Sequence, residues 1–157
     1  TANWRVSEDE RANGTDTENL STAQGTAWYH RDLPQFNTVV DRLPFDHHQV
    51  IGMVAPRALL AIESSSTFFP RLSHVSTFTS GSAARRIWEG LGVPERMGMT
   101  QVSTNHCNFP ASQRDDVEAF VDRFLLDQED VVTNVLESDA ITVDLARWAP
   151  WETPVLE

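Results

Sequence analysis

The stretch ALLAI at residues 58–62 decides how this sequence is expected to fold. It is a continuous apolar run of strand length, and such a run is typical of a strand buried on both faces of a parallel sheet. Glu63 ends the run. A second short strand is predicted for residues 97–103. The two strands, with a helix predicted between them, indicate the α/β class.

Two amphipathic helices are predicted beside these strands. Ser82 should open the first helix and Ser112 should cap the second. Spacings of three and four residues place the apolar side chains of each helix on one face, which should pack against the sheet. These side chains are Ala83, Ala84, Ile87, Trp88 and Leu91 in the first helix, and Val117, Phe120, Val121, Phe124 and Leu125 in the second. We therefore expect Trp88 to be a core residue.

The remaining segments carry weaker patterns. Residues 5–26 and 64–80 are rich in polar residues without helical or strand periodicity, so both are predicted to be loops. Short helical pieces are predicted on either side of Pro34 and for residues 49–55, where Pro56 ends the helix. Residues 127–157 are acidic and weakly patterned, and we expect an extension that packs on, or trails from, a domain formed by residues 1–126.

Composition limits the classes of function. The 157 residues include 12 Lys and Arg against 23 Asp and Glu, which gives a net charge of −11. Such a balance argues against binding to nucleic acid or to anionic membranes. No apolar stretch approaches the ~18 residues of a membrane span. A single cysteine, Cys107, excludes a disulfide within the chain and a zinc site built from several thiolates, but leaves open whether that thiol is a buried filler or half of a bridge.

Glu63 and His106 each follow one of the two predicted strands. The order strand, carboxylate, helix, strand, histidine, helix matches the last third of an α/β-hydrolase, in which catalytic residues lie on loops at the carboxyl ends of parallel strands. A histidine there can accept a proton from a serine hydroxyl and return it to a leaving alcohol. From this order alone, an ordinary hydrogen-bonded loop histidine is an equally open interpretation of His106.

Asp46, His47 and His48 invite comparison with a metal site. Adjacent residues point in different directions on a helix or a strand, so these side chains are poorly placed to share a metal ion. We expect instead that Asp46 and one of the histidines anchor a turn through hydrogen bonds. No metal site is predicted.

Four segments carry a more specific resemblance. They are LPFDHH at 43–48, VAPRALL at 54–60, AA at 83–84 with WEGLGVP at 88–94, and HCNFP at 106–110. In this order, and across about residues 20 to 126, the sequence resembles the glucuronoyl esterases, carbohydrate esterase family fifteen. The resemblance implies the C-terminal part of an α/β-hydrolase three-layer sandwich with a mostly parallel sheet.

The same resemblance implies a function. Members of this family are secreted enzymes that hydrolyse the ester between 4-O-methyl-glucuronic acid on xylan and lignin alcohols, without a metal or organic cofactor. The resemblance makes His106 the catalytic histidine and pairs Cys107 with a cysteine beside the nucleophilic serine. That serine and its usual acid precede the point in the family pattern where this chain begins, so the chain is expected to be inactive alone.

Some positions depart from the family pattern. Certain members place their working carboxylate near Glu63, which makes Glu63 a candidate acid. The nearest counterpart of a tryptophan that stacks on the uronic acid is Phe68 or Phe69, of which Phe69 is preferred. The altered positions leave two alternatives open. One is a different carbohydrate carboxylesterase, and the other is a non-catalytic hydrolase-like domain that binds polysaccharide through Trp28 and Phe69.

Overall fold

A three-stranded parallel sheet forms the centre of the molecule. The computed structural model describes residues 4–14, 20, 29–65, 73–105 and 107–156. The strands are β1 (Leu59–Ser64), β2 (Met97–Val102) and β3 (Leu136–Ser138), in the order β1-β2-β3. The register pairs Leu59 with Met97 and Met99 with Leu136. The α/β fold class, and the first two strands, are as predicted.

The helices surround this sheet. Within the described residues the α-helices are α1 (Trp4–Ala12), α2 (His47–Gly52), α3 (His74–Gly90), α4 (Arg114–Leu125) and α5 (Leu145–Trp148). Single 3₁₀ turns occupy Leu33–Phe36, Val40–Arg42, Pro94–Arg96 and Ala111–Gln113. No helix of the described residues is long and apolar enough to cross a lipid bilayer.

β2 lies between two layers of helix. Met97 and Met99 join Phe78, Ala84 and Trp88 in the core on the α3 side. Gly98, between these two residues, faces the opposite side of the sheet, where a Cβ atom would lie 2.7 Å from Cζ of Phe120 on α4. Alternate residues of a strand face opposite sides of a sheet, so the sheet is covered on both faces. Three layers result, in the order α3, sheet, α4.

β1 is less buried than its sequence predicts. All of its residues are half-buried except Ile62, which is 37% exposed. The described residues pair β1 with β2 on one side only, and an edge strand of this kind retains solvent contact. The strand that is buried on both faces is β2.

α3 begins eight residues before the predicted start at Ser82. The hydroxyl of Ser73 caps it by accepting a hydrogen bond from the Ser76 amide at 2.9 Å. Inside the first turns, the buried hydroxyls of Thr77 and Thr79 donate to carbonyls four residues earlier. These internal bonds satisfy polar side chains in a buried helix, whose pattern therefore shows no apolar stripe. The loop prediction for residues 64–80 is wrong over residues 74–80.

α1 also contradicts a predicted loop, over residues 5–12. A nine-residue helix is marginal by itself, so packing has to stabilise it. Trp4 supplies that packing in a second apolar cluster with Leu20, Val40 and Leu43. Its ring also meets Tyr29 and Phe45 edge to face.

Asp46 anchors the start of α2, as expected. Its carboxylate accepts from the His47 amide at 2.7 Å, while the Gln49 side chain accepts from the Asp46 amide at 2.8 Å, which completes a capping box. Arg5 of α1 forms an ion pair with the same carboxylate at 2.8 Å. Among the described residues no group of three or more His, Cys, Asp or Glu side chains is arranged to hold a metal ion.

β3 lies in the acidic segment after residue 126, where no strand was predicted. The predicted cap of α4 at Ser112 is wrong, because the helix starts at Arg114 and Gln113 occupies the cap position. The side chain of Gln113 instead donates to the carbonyls of Glu63 and Thr100 and so ties α4 to β1 and β2.

The division of the chain into a domain of residues 1–126 and an extension of residues 127–157 stays a prediction.

We expect Trp88→Ala to lower the free energy of unfolding by about 3–5 kcal/mol, because truncating a buried aromatic side chain removes apolar contact and leaves a cavity. Trp88 is fully buried, and its indole nitrogen donates to the Arg57 carbonyl at 3.0 Å. Denaturant unfolding measures the loss. Val132→Ala is the control, since Val132 is 81% exposed and should change stability by less than about 0.5 kcal/mol. A loss of under 1 kcal/mol for Trp88→Ala would contradict this packing.

We also expect stability to fall as the pH decreases from about 6.5 towards 4. Burial lowers the pKa of His47 to about 4, against an opposing effect of Asp46. The unfolded chain, with a histidine pKa near ~6.5, then binds a proton that the folded chain does not, so acidification favours unfolding. The ring of His47 lies 4.0 Å from that of Trp4, where a charge would be poorly solvated.

His47→Phe should flatten the pH dependence of unfolding between pH 7.5 and 5, relative to the unsubstituted protein. His30→Phe is the matched control, because the His30 side chain is 71% exposed. Identical pH profiles for the His47 variant and the unsubstituted protein would refute the assignment.

Candidate active site

The three strands end together at one edge of the sheet. Because all are parallel, Ser64, Val102 and Ser138 mark the same carboxyl edge. In open α/β sheets this edge is where ligands bind. The residues that follow the strands, beginning with Ser65, Ser103 and Asp139, form the candidate active site.

A tight turn leaves this edge after β2. The Ser64 hydroxyl donates to the Thr104 carbonyl at 2.6 Å, which attaches the turn to the end of β1. The Asn108 side chain donates to the Thr104 hydroxyl at 2.6 Å, and the Asn108 amide donates to the Asn105 carbonyl at 3.1 Å. Residues 103–108 are called the histidine turn below, because His106 lies within this segment of the sequence. His106 itself is outside the described residues.

Asp139 connects the other two strands to this turn. One carboxylate oxygen accepts from the Ser65 hydroxyl and the other from the Ser103 amide, both at 2.6 Å. The hydrogen bond from Ser65, followed by that from Ser103, lowers the pKa of Asp139 below its ordinary value. The carboxylate is therefore ionised at neutral and mildly acidic pH.

Glu63 lies one residue before the end of β1. Its side chain borders a cavity of about 150 Å³ between the sheet, α2 and α3. The other residues that line this cavity are Ile51, Leu59, Ala61, Thr77, Gly81, Met97 and Met99. Burial among these largely apolar groups raises the pKa of Glu63. Glu63 thus reaches the same edge of the sheet as the histidine turn, on the α3 side.

The remaining predicted site residues are described in part. Phe69 and Trp28 lie outside the described residues, so their roles stay predictions. Cys107 is exposed, with a free thiol and a positive φ of 58°. Because Cys107 is exposed, the open alternative of a buried filler is wrong for this chain.

Asp139 was missed from the sequence. It stands in an acidic segment without a clear period, and only the pairing of β3 beside β2 brings it to the edge of the sheet. A strand assignment for residues 136–138 was the one signal that would have revealed it.

Comparison with known proteins relates the chain to one group of enzymes. Residues 1–92 match the family model described as glucuronyl esterase, fungi. Among curated proteins, the 4-O-methyl-glucuronoyl methylesterase of Podospora anserina is 34% identical over 98% of this chain and 32% of its own length. That of Schizophyllum commune is 35% identical over 98% of this chain and 40% of its own length.

Solved structures agree with this relationship. The glucuronoyl esterase catalytic domain from Hypocrea jecorina superposes with a TM-score of 0.90 and 33% identity, over 99% of this chain and 42% of that one. A serine-to-alanine mutant of the glucuronoyl esterase from Sporotrichum thermophile, in complex with methyl 4-O-methyl-β-D-glucopyranuronate, superposes with a TM-score of 0.89 and 31% identity, over the same shares. The chain therefore spans about two fifths of these structures. The resemblance found in the sequence is confirmed: the chain belongs to the fungal glucuronoyl esterase family.

Proposed function

We propose that the protein containing this chain hydrolyses esters of 4-O-methyl-glucuronic acid, with the esters that join glucuronoxylan to lignin as its substrates. The observation that carries the proposal is a histidine turn held at the carboxyl edge of a parallel sheet, in a chain of this family. The Sporotrichum thermophile neighbour bound to a methyl glucuronate ester supports the substrate class. Since such polymers lie outside cells, we propose that the protein is secreted.

The proposed chemistry proceeds through an acyl-enzyme. A serine hydroxyl attacks the ester carbonyl carbon while His106 accepts the hydroxyl proton. The tetrahedral intermediate collapses, and the alcohol leaves with that proton from His106. A water molecule, deprotonated by His106, then attacks the acyl carbon. The bond to the serine oxygen breaks, His106 returns the proton to that oxygen, and the glucuronate is released. This cycle requires neither a metal ion nor an organic cofactor.

The serine is proposed to belong to a part of the protein outside residues 1–157, as is the cysteine that pairs with Cys107. The exposed position of the Cys107 thiol supports that pairing. By this proposal the chain alone does not catalyse. Phe69 is proposed to stack on the uronic acid ring.

Glu63 is the proposed acid that orients His106. Its position supports this role, because it lies at the carboxyl edge of the strand next to β2, from which the histidine turn emerges. A carboxylate that accepts from one ring nitrogen fixes the tautomer of the histidine and stabilises its protonated form. That role requires Glu63 to be ionised.

His106→Ala in the full-length protein is expected to lower kcat for benzyl glucuronate about a thousandfold or more, as loss of one triad member does. His30→Ala is the matched control, because His30 is exposed and distant in sequence from the turn. If the unsubstituted protein fails to turn over the ester but binds glucuronoxylan, the domain is a polysaccharide-binding module instead. Activity on acetylated xylan alone would point to the other carboxylesterase alternative.

Glu63→Gln should lower kcat by about a hundredfold or more if Glu63 orients His106. Because His106 must be neutral to accept the serine proton, kcat/KM should fall as the pH decreases, along an acidic limb that an ionised Glu63 moves to higher pH by stabilising protonated His106. In the variant a neutral amide replaces the carboxylate, so this limb of the kcat/KM profile should move to lower pH. Glu118→Gln, on the exposed side of α4, is the control. Full activity of Glu63→Gln with an unchanged profile would remove Glu63 from the mechanism.

A further inference from the structure

We propose that Asp139 is a positioning residue, whose carboxylate fixes the backbone at Ser103, three residues before His106 in the sequence, by joining it to the end of β1. The inference rests on the function proposed above, since it concerns the group that would move the proton. Asp139 itself is not proposed to contact the substrate.

The two contacts of Asp139 define this role. The carboxylate bridges Ser65, which follows β1, and Ser103, which follows β2, while Asp139 follows β3. One side chain thus connects the ends of all three strands. Each oxygen accepts one hydrogen bond at 2.6 Å, one from the Ser65 hydroxyl and the other from the Ser103 amide. Hydrogen bonds to an ionised acceptor are stronger than those between neutral groups.

Asp139 is itself held in place from the core. Its amide donates to the Gln101 carbonyl at 3.1 Å, and the hydroxyl of the preceding Ser138 donates to the Gln101 side chain at 2.8 Å. The Gln101 side chain is fully buried and donates in turn to the His74 carbonyl of α3 at 3.0 Å. The position of the carboxylate is therefore fixed by β2 and α3.

The histidine turn is restrained at neighbouring points on its N-terminal side. Asp139 holds the Ser103 amide, and Ser64 holds the Thr104 carbonyl. His106 follows Thr104 by two residues, so a shift of the turn at Ser103 displaces the catalytic histidine. A displacement of about 1 Å can lower the rate of an enzyme about a hundredfold, because proton transfer depends on hydrogen-bond distance.

The two carboxylates at this edge differ in electrostatics. Hydrogen bonds lower the pKa of Asp139, whereas burial raises the pKa of Glu63. Asp139 should therefore stay ionised, and its contacts intact, at a pH where Glu63 takes up a proton. Loss of Asp139 should accordingly change the level of activity and leave the acidic limb of the kcat/KM profile in place.

The test compares Asp139→Ala and Asp139→Asn in the full-length protein, with kcat for benzyl glucuronate expressed per active site titrated by a serine-reactive phosphonate. We expect Asp139→Ala to lower kcat per titrated site about tenfold to a hundredfold with KM changed less than about twofold. Asp139→Asn should retain most of the activity, because its amide oxygen can accept from Ser103 and its NH₂ group can donate to the Ser65 hydroxyl.

Glu137→Ala is the matched control, since Glu137 is an exposed carboxylate of β3 two residues away, and it should leave kcat unchanged. Ser65→Ala removes one of the two contacts and should give a smaller loss of the same kind, which keeps the test valid if Asp139→Ala does not fold. Unchanged kcat per titrated site in Asp139→Ala overturns the proposal. If Asp139→Ala does not fold, the same result in Ser65→Ala overturns it. An asparagine variant as slow as the alanine variant also counts against it.

Hydrogen exchange separates this proposal from the proposed function. In Asp139→Ala the amides of residues 103–108 should exchange faster, while those of β2 keep their protection. If the unsubstituted protein does not hydrolyse glucuronate esters, the proposed function fails and this arm alone decides the role of Asp139. Faster exchange confined to the turn supports the role, and equal exchange in the two proteins overturns it.

Discussion

Met97 and Met99 point from β2 into the layer beneath α3, while Gly98 between them leaves room for Phe120 of α4. The close approach continues at Gly81 of α3, where a Cβ atom would lie 2.3 Å from the sulfur of Met99. The rest of the structure depends on this two-sided burial of β2. It fixes the distance of both helices from the sheet and, through the strand register, the places of β1 and β3.

The same packing determines where chemistry can occur. With all three strands parallel, polar residues that are far apart in the sequence reach one edge of the sheet: Ser64 with Ser65, the histidine turn, and Asp139. A loop carried on such an edge inherits the rigidity of the strands. In this protein two hydrogen bonds hold the turn on the sheet. One runs from the Ser64 hydroxyl to the Thr104 carbonyl, and the other from the Ser103 amide to the Asp139 carboxylate.

Environment gives the carboxylates of this region different properties. Glu63 borders an apolar cavity that favours its neutral form, whereas the exposed Asp139 accepts hydrogen bonds from Ser65 and Ser103 that favour its charged form. Two side chains of nearly the same chemistry therefore differ in the pH range over which they are ionised. The residue type alone indicates neither the raised pKa of Glu63 nor the lowered pKa of Asp139.

The sequence by itself determined the local elements with a clear period or a specific motif. The apolar run at 58–62 predicted β1, and the stripe around Trp88 predicted the second half of α3. Four motif segments in order, from LPFDHH at 43–48 to HCNFP at 106–110, indicated the family, and the last of them supplied the candidate histidine. Each of these depends on neighbours in the chain, so short-range patterning was sufficient to find them.

Tertiary structure decided the elements that distant contacts stabilise. α1 forms because Trp4 enters an apolar cluster, and the first turns of α3 form because buried hydroxyls bond to their own helix, so neither shows an apolar period. β3 has only three residues and is defined by its pairing with β2. Asp139 and Ser103 are 36 residues apart in the sequence, and the register of β3 on β2 brings them into contact. No local pattern in the sequence encodes such a contact.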